Sequence, residues 1–231
     1  MIFITLRFDD GTICQYETAY KTMKKYKLTG SVFVIGSRLW SKYYISVPQL
    51  LEMQKNGWEI GYHSWNHNNK WILDESEYKK QTDCKTLKEQ GLKITSFCFP
   101  HSAYNRRVIH YLRKETDYKV LVGIPSKSAD FMHGPIPDNN MYKSFSINPY
   151  TTWKIIEDRI NEAIHNNEYL IFMIHKVAGE NEVLNEKSFK IHFKIFKQLC
   201  KFLKDLQDKQ LVKVLPLDKA HKNLYQHRLH N

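Results

Sequence analysis

Two adjacent aspartates, Asp9 and Asp10 in FDDG, and two histidines four residues apart, His63 and His67 in GYHSWNH, are of the types and spacing that do chemistry. Two neutral imidazoles and one carboxylate make a three-donor set that leaves coordination positions open for water and substrate, as catalytic rather than structural zinc requires. The second aspartate is then free to take a proton from the attacking water, whose pKa a cation lowers towards neutrality. A further histidine, His175 after the apolar run YLIFMI, can protonate a leaving amine. Each of these features also has a plainer meaning. An isolated HxxxH is equally a pair of core-edge or solvent-facing histidines, Asp-Asp-Gly is equally a turn, and a histidine after six apolar residues is equally a buried side chain bonded to a carbonyl.

The elements around these residues decide whether they can meet. Strand-like runs occupy 2–8, 31–37, 58–62, 94–99, 119–124, 145–147, 169–174 and 211–217, and most are continuously apolar, as in a parallel sheet buried on both faces. Helical patterns lie between them. One begins at Ser46, with Pro48 in its first turn, and stops at Gly57; another is capped by Asp74 with Glu77 and ends at Gly91. Residues 151–167 and 188–206 supply the longest helices. Strand followed by helix, repeated about seven times, predicts a parallel α/β architecture, which a closed barrel and an open doubly wound sheet both satisfy. No GxGxxG or GxxxxGK[ST] turn follows the first strand, so the usual nucleotide-binding argument for the open sheet is missing. Asp9 and Asp10 end the first run, His63 the third, Pro100 and His101 follow the fourth, and His175 follows 169–174. In a parallel barrel all of these carboxyl ends share one face.

These residues resemble the polysaccharide deacetylases of the NodB-homology type, carbohydrate esterase family 4. FDDG (8–11) is similar to the first motif of that family, HSWNH (63–67) to its H-[ST]-x-x-H metal motif, SFCFPHSAYN (96–105) to its third motif region and FMIH (172–175) to its last. The likeness runs from the first strand to about Leu217 and implies a distorted (β/α) barrel with about seven parallel strands over 1–217, with 218–231 as a basic C-terminal tail. It also implies Asp9 as catalytic base, Asp10, His63 and His67 as ligands of zinc, cobalt or another divalent metal, and His175 as general acid. The backbone N–H of His101 would be the oxyanion donor. The implied partner is an N-acetylated carbohydrate.

Four positions depart from the pattern. Cys98 stands where the third motif has an arginine that orients the base, which predicts an Asp9 without its usual partner, weakened catalysis and a gain in turnover for Cys98→Arg. Met173 replaces the leucine of the last motif, and Asp130 and Trp153 are the nearest matches to the aspartate and tryptophan of the fourth. The function expected is removal of an N-acetyl group by metal-activated water. A metal-retaining carbohydrate binder without turnover and a hydrolase of another non-peptide C–N bond are the alternatives.

The 231-residue chain is 42% hydrophobic and 13% aromatic, the composition of a folded globule. Its net charge of +11 comes from lysines scattered along helical stretches, and no nucleic-acid motif accompanies them, so a solvated basic face is expected rather than a nucleic-acid partner. Cys14, Cys84, Cys98 and Cys200 form no CxxC pair and suggest free thiols. With Arg7, Asp9 and Asp10 so near its start, the opening stretch is not expected to be a signal peptide, and no stretch approaches a membrane span. Cytoplasmic location is expected if the sequence is complete, and export if a leader was trimmed. Specificity would lie in the loops 40–46, 126–140 and 177–187, where Trp40, Tyr43 and Tyr44, with Trp65, are either sugar-stacking surfaces or packing anchors.

Overall fold

Every strand pairing of the main sheet is parallel. The computed structural model describes residues 1–68, 72, 74–123, 141–184 and 190–229; Asp130 and the loop 126–140 lie outside the described residues. In chain order the first half contains β1 (Ile2–Phe8), a π-helical stretch (Gln15–Tyr20) running into α1 (Lys21–Lys25), β2 (Ser31–Val34), α2 (Val47–Lys55), β3 (Glu59–Tyr62), α3 (Glu75–Thr82), α4 (Lys85–Glu89), β4 (Ser96–Cys98) and α5 (Arg106–Lys114). The second half contains β5 (Val120–Gly123), β6 (Met141–Lys143), β7 (Phe145–Ile147), α6 (Trp153–His165), β8 (Leu170–Ile174), β9 (Lys176–Val177), β10 (Lys190–Ile191), α7 (Phe193–Asp208), β11 (Val212–Val214) and α8 (Leu217–Leu229).

Among the described residues the sheet has nine strands in the order β6-β5-β4-β3-β2-β1-β8-β7, with β11 beside β1. Only Ser144 separates the two edge strands, so β6 and β7 are halves of one kinked stretch whose first half pairs with β5 and whose second half pairs with β8. The ring therefore closes through β1, β2, β3, β4, β5, β6–β7 and β8, the distorted seven-position barrel. Its distortion is at β1, which meets β2 only at Arg7 and Phe8, while Ile2, Phe3 and Ile4 pair with β11.

Side chains alternate between the barrel interior and the helix layer. Ile4, Leu6 and Phe8 pack outward into the large core that α7 completes with Phe196 and Leu199, whereas Phe33, Cys98, Val120, Val122 and Ile171 form a separate buried cluster inside the ring. Gly61 on β3 is needed there, since a Cβ at that position would stand 2.3 Å from the Phe33 ring.

The helix ends follow the local chemistry. Ser46 and Gln49 form a capping box at α2, and the Asp74 carboxylate accepts from the Glu77 amide at α3. The single helix expected over 74–91 is broken at Asp83. The Thr82 and Asp83 carbonyls are taken by the hydroxyls of Tyr118 (2.7 Å) and Tyr62 (2.9 Å) instead of by helix amides. Residues from 218 onward, set apart in the sequence as a basic tail, are helical to Leu229, and the first turn of α8 belongs to the barrel. Leu217 and Ala220 are fully buried, the Leu217 amide donates to Ser31 Oγ (2.8 Å) and the Asp218 amide to Glu59 Oε2 (3.1 Å). Unpaired amides at a helix start need acceptors, and buried Glu59 and Ser31 provide them at the amino ends of β3 and β2.

Candidate metal centre

Strand alternation puts Thr5, Arg7 and Asp9 on one side of β1, the side that faces the interior. Arg7 Nε donates to Asp9 Oδ1 at 2.7 Å and Nη2 donates to Oδ2, a bidentate pair whose side chains are 1% and 4% exposed. The same guanidinium donates to Ser144 Oγ (2.8 Å), contacts Cys98 Sγ (3.2 Å) and lies 5.8 Å from the Phe33 ring centre. The expectation that Asp9 lacks a partner is thereby corrected: cysteine at 98 leaves room for a guanidinium that arrives from β1. Burial alone would raise the Asp9 pKa, but the charge and hydrogen bonds of Arg7 outweigh it and hold the carboxyl well below the usual range. Burial likewise opposes the Arg7 charge, and Asp9 reverses that effect. Asp9 is an ionised, oriented carboxylate.

Asp10, His63 and His67 gather beside it. His63 Nε2 is 3.7 Å and His67 Nε2 3.8 Å from Asp10 Oδ1. Tetrahedral zinc with bonds of about 2.0–2.1 Å holds its donors roughly 3.3 Å apart, so a small inward movement completes the site. His63 Nδ1 is 2.9 Å from the Cys98 carbonyl, which fixes the tautomer that leaves Nε2 free as a ligand. Burial lowers the pKa of His63 against the opposing pull of Asp9 and Asp10. Burial, then His63 and His101, push His67 down to about 3. Both rings are therefore neutral, the form that binds a cation. A second grouping, Asp9, His63 and Cys98, is a poorer host: Arg7 occupies both Asp9 oxygens, and burial pushes the Cys98 thiol far up, so it keeps its proton.

The backbone around the site is strained. Among the described residues eight non-glycine positions have φ in the left-handed region, and Asp10 (80°), Ser64 (66°), His67 (58°), His101 (52°) and Ser102 (55°) are five of them. Specific hydrogen bonds hold this geometry. Ser64 Oγ accepts from the His67 amide (3.0 Å), while the Trp65 amide donates to the Gln81 carbonyl (2.9 Å) and the Asn66 amide to Gln81 Oε1 (3.0 Å). His101 sits in the Pro100–Ser102 turn after β4, exposed, with its ring 4.2 Å from that of His67. His175 follows β8 at the level of Asp9, because Phe8 pairs with Ile174 and the Asp9 amide donates to the Ile174 carbonyl at 3.1 Å.

Two polar residues important to this arrangement, Arg7 and Gln15, have no counterpart among the site residues expected from the sequence. Arg7 could have been found, since a charge within an apolar strand must be paired and Asp9 lies two residues on, along the same side. Gln15 carries no such mark: it is fully buried and its Nε2 donates both to the Asp9 carbonyl and to that of His175 (2.6 Å), tying the two strand ends together. Trp153, the nearest match to the missing tryptophan, instead meets Phe202 edge-on at 5.4 Å between α6 and α7. The large lysine-lined hollow between α3, α4 and α5 includes none of Asp9, Asp10, His63, His67 or His175.

Residues 2–121, just over half of the chain, match the family model described as polysaccharide deacetylase. A curated Bacillus subtilis protein of the polysaccharide deacetylase type, YxkH, is 26% identical over 120 residues, which are 51% of this chain and 43% of that protein. The chain thus aligns with less than half the length of the curated relative it matches. Among solved structures, the peptidoglycan deacetylase PdaC from Bacillus subtilis superposes with a TM-score of 0.60 at 19% identity, covering 98% of this chain and 93% of that one. A family 4 acetyl xylan esterase from Clostridium thermocellum, in complex with a cobalt ion, gives 0.60 at 16% identity over 95% and 90% of the two chains. At these identities the two structures establish a shared fold.

Proposed function

The chain belongs to the polysaccharide deacetylase family, and on that premise we propose that it is a metal-dependent hydrolase that removes an N-acetyl group from a carbohydrate. What favours turnover over mere binding is Asp9, a buried carboxylate that both oxygens and two backbone ties hold in one orientation beside the three-donor site. A divalent cation at Asp10, His63 and His67, zinc by the donor set or cobalt as in the Clostridium thermocellum esterase, would polarise the amide carbonyl and acidify water next to it. Asp9 takes the proton from the attacking water, and its pairing with Arg7 keeps it unprotonated until then. The His101 backbone N–H donates to the developing oxyanion. His175 gives a proton to the leaving amine nitrogen from the opposite side, and Gln15 keeps its strand end in register with Asp9.

Acetate release from chitooligosaccharides, peptidoglycan fragments and N-acetylated monosaccharides, with zinc or cobalt supplied, tests this function. Asp9→Asn and His175→Ala are each expected to lose about a hundred-fold to ten-thousand-fold in kcat while keeping their metal. No acetate from any acetylated sugar, together with glycan binding by Asp9→Asn equal to that of the parent, would replace the enzyme by a metal-retaining carbohydrate binder. Release from non-sugar amides alone would move the substrate class to other C–N bonds.

A further inference from the structure

The connections that follow β2, β3 and β4 on the carboxyl-end face of the ring are free of acids. Residues 35–46, 63–73 and 99–107 contain no aspartate or glutamate, although these make up 24 of the 231 residues, while Arg38, Lys42, Arg106 and Arg107 lie among them. After β8, Lys176 follows His175 directly, and the two described carboxylates of that connection, Glu180 and Glu182, are turned to Lys197 and Lys190.

A scatter of solvated lysines does not account for this pattern. On the helices Lys21, Lys79, Lys154, Lys204 and Lys209 each pair with a carboxylate four residues away. Among the described residues Arg38, Lys42 and Lys176 have no carboxylate partner. The Arg38 guanidinium lies 5.9 Å from the Tyr44 ring centre and the Lys42 ammonium 5.2 Å from that of Tyr43, contacts that leave both charges to solvent. In the sheet β1 runs between β2 and β8, so these cations border the Asp9–Asp10 end from both sides. Backbone bonds fix the Arg38 side: the Gly36 amide donates to the Ser64 carbonyl (3.0 Å) and the Ser37 amide to the Trp65 carbonyl (2.7 Å), beside the turn that bears His63 and His67.

Arg7 cancels the charge of Asp9, and a divalent cation would more than cancel that of Asp10, so the field over the cleft is positive. An anionic ligand is steered by such a field, and the planar fork of an arginine fits a carboxylate or a phosphate. Resting on the deacetylase function above, we propose that the substrate is an anionic glycan with a carboxylate or phosphate near the acetylated group, and that Arg38, backed by Lys42 and Lys176, recognises that charge.

The test uses two matched pairs of probes: a tetrasaccharide of alternating N-acetylglucosamine and N-acetylmuramic acid against its methyl ester, and chitotetraose phosphorylated at O6 against chitotetraose. The zinc-loaded parent, Arg38→Gln, Arg38→Lys and Lys42→Gln/Lys176→Gln are compared by kcat and KM in low and high salt, and by calorimetric Kd, which needs no turnover. At least one charged member is expected to exceed its neutral partner by about tenfold in kcat/KM at low salt, with the margin shrinking in high salt. Arg38→Gln should lose most of that margin, Arg38→Lys should keep part of it, and the double lysine variant should reduce it. The pair that shows the margin tells carboxylate from phosphate. Equal kcat/KM within both pairs would overturn the anion site and leave the deacetylase standing, as would a margin undiminished in Arg38→Gln or an Arg38→Gln loss equal for charged and neutral members. Should the parent release no acetate yet bind a charged member more tightly than its neutral partner, with the difference lost in Arg38→Gln, the anion site survives and the hydrolase does not. Binding of neither charged glycan by the parent overturns the anion site outright.

Discussion

A guanidinium can reach the Asp9 carboxylate from β1 or from β4, because inward side chains of both strands meet at that level: Arg7 occupies the place and Cys98 Sγ lies 3.2 Å from it. Cys98→Arg should therefore not raise turnover as the sequence pattern suggests. It would force a second cation against a buried one, and a lower unfolding midpoint with unimproved kcat is the expected result. Arg7→Gln leaves Asp9 buried and unpaired, which costs about 3–5 kcal/mol by denaturant titration and lowers kcat more than it alters KM. The double variant Arg7→Gln/Cys98→Arg is expected to recover part of both losses. A double variant no better than Arg7→Gln would mean that only the β1 approach orients the base. At the neighbouring donors, His63→Ala should abolish stoichiometric zinc by elemental analysis. Equal metal content in variant and parent would remove His63 from the ligand set.

Helix α8 shows how an element is held by a carboxyl group set far away in the chain. Burial, and next the nearby Asp218, raise the Glu59 pKa to about 7, and burial raises Asp218 as well. Between the ordinary carboxylate value and that raised one, the folded protein keeps a proton that the unfolded chain has released. Stability is thus full in acid, falls as pH rises through that window and levels off above it. One such proton changes stability by at most about 1.4 kcal/mol per pH unit. Urea denaturation at pH 5, 6 and 7 should show a decline in the parent that is shallower in Glu59→Gln, whose amide oxygen still accepts from the Asp218 amide. Identical slopes in the two proteins would show that the Glu59 proton plays no part in docking α8.

For the molecule as a whole, closure of the ring depends on the stretch 141–147 bridging β5 and β8, and the donors of the metal site sit on β1 and after β3 of that same ring. Opening the barrel between β1 and β3 separates strands that the site needs, so unfolding of that part and metal release should be coupled. With metal at a hundred times its Kd the parent should gain about 2.7 kcal/mol, or roughly 5–10 °C in Tm. Calorimetry would show one transition that shifts with metal in the parent and does not shift in Asp10→Ala. A metal-independent Tm in the parent would disconnect the site from the fold.

By itself the sequence determined the strand runs, the capped helix starts at Ser46 and Asp74 and the placing of Asp9, Asp10, His63 and His175 at strand ends, because each is encoded within a few residues: apolar runs, side-chain caps and the residue after a run. The bidentate hold of Arg7 on Asp9 was half legible, in a charge two residues from a carboxylate along one strand face, but that both are buried depends on the closed ring. Other features were decided only in three dimensions. The break at Asp83 comes from Tyr62 and Tyr118, the docking of α8 from Glu59, and the ring closes where β6, a three-residue strand too short to show a period, runs into the legible β7. A buried polar group takes whichever partner the rest of the fold brings within hydrogen-bond reach, and that choice is made by residues tens to hundreds of positions away.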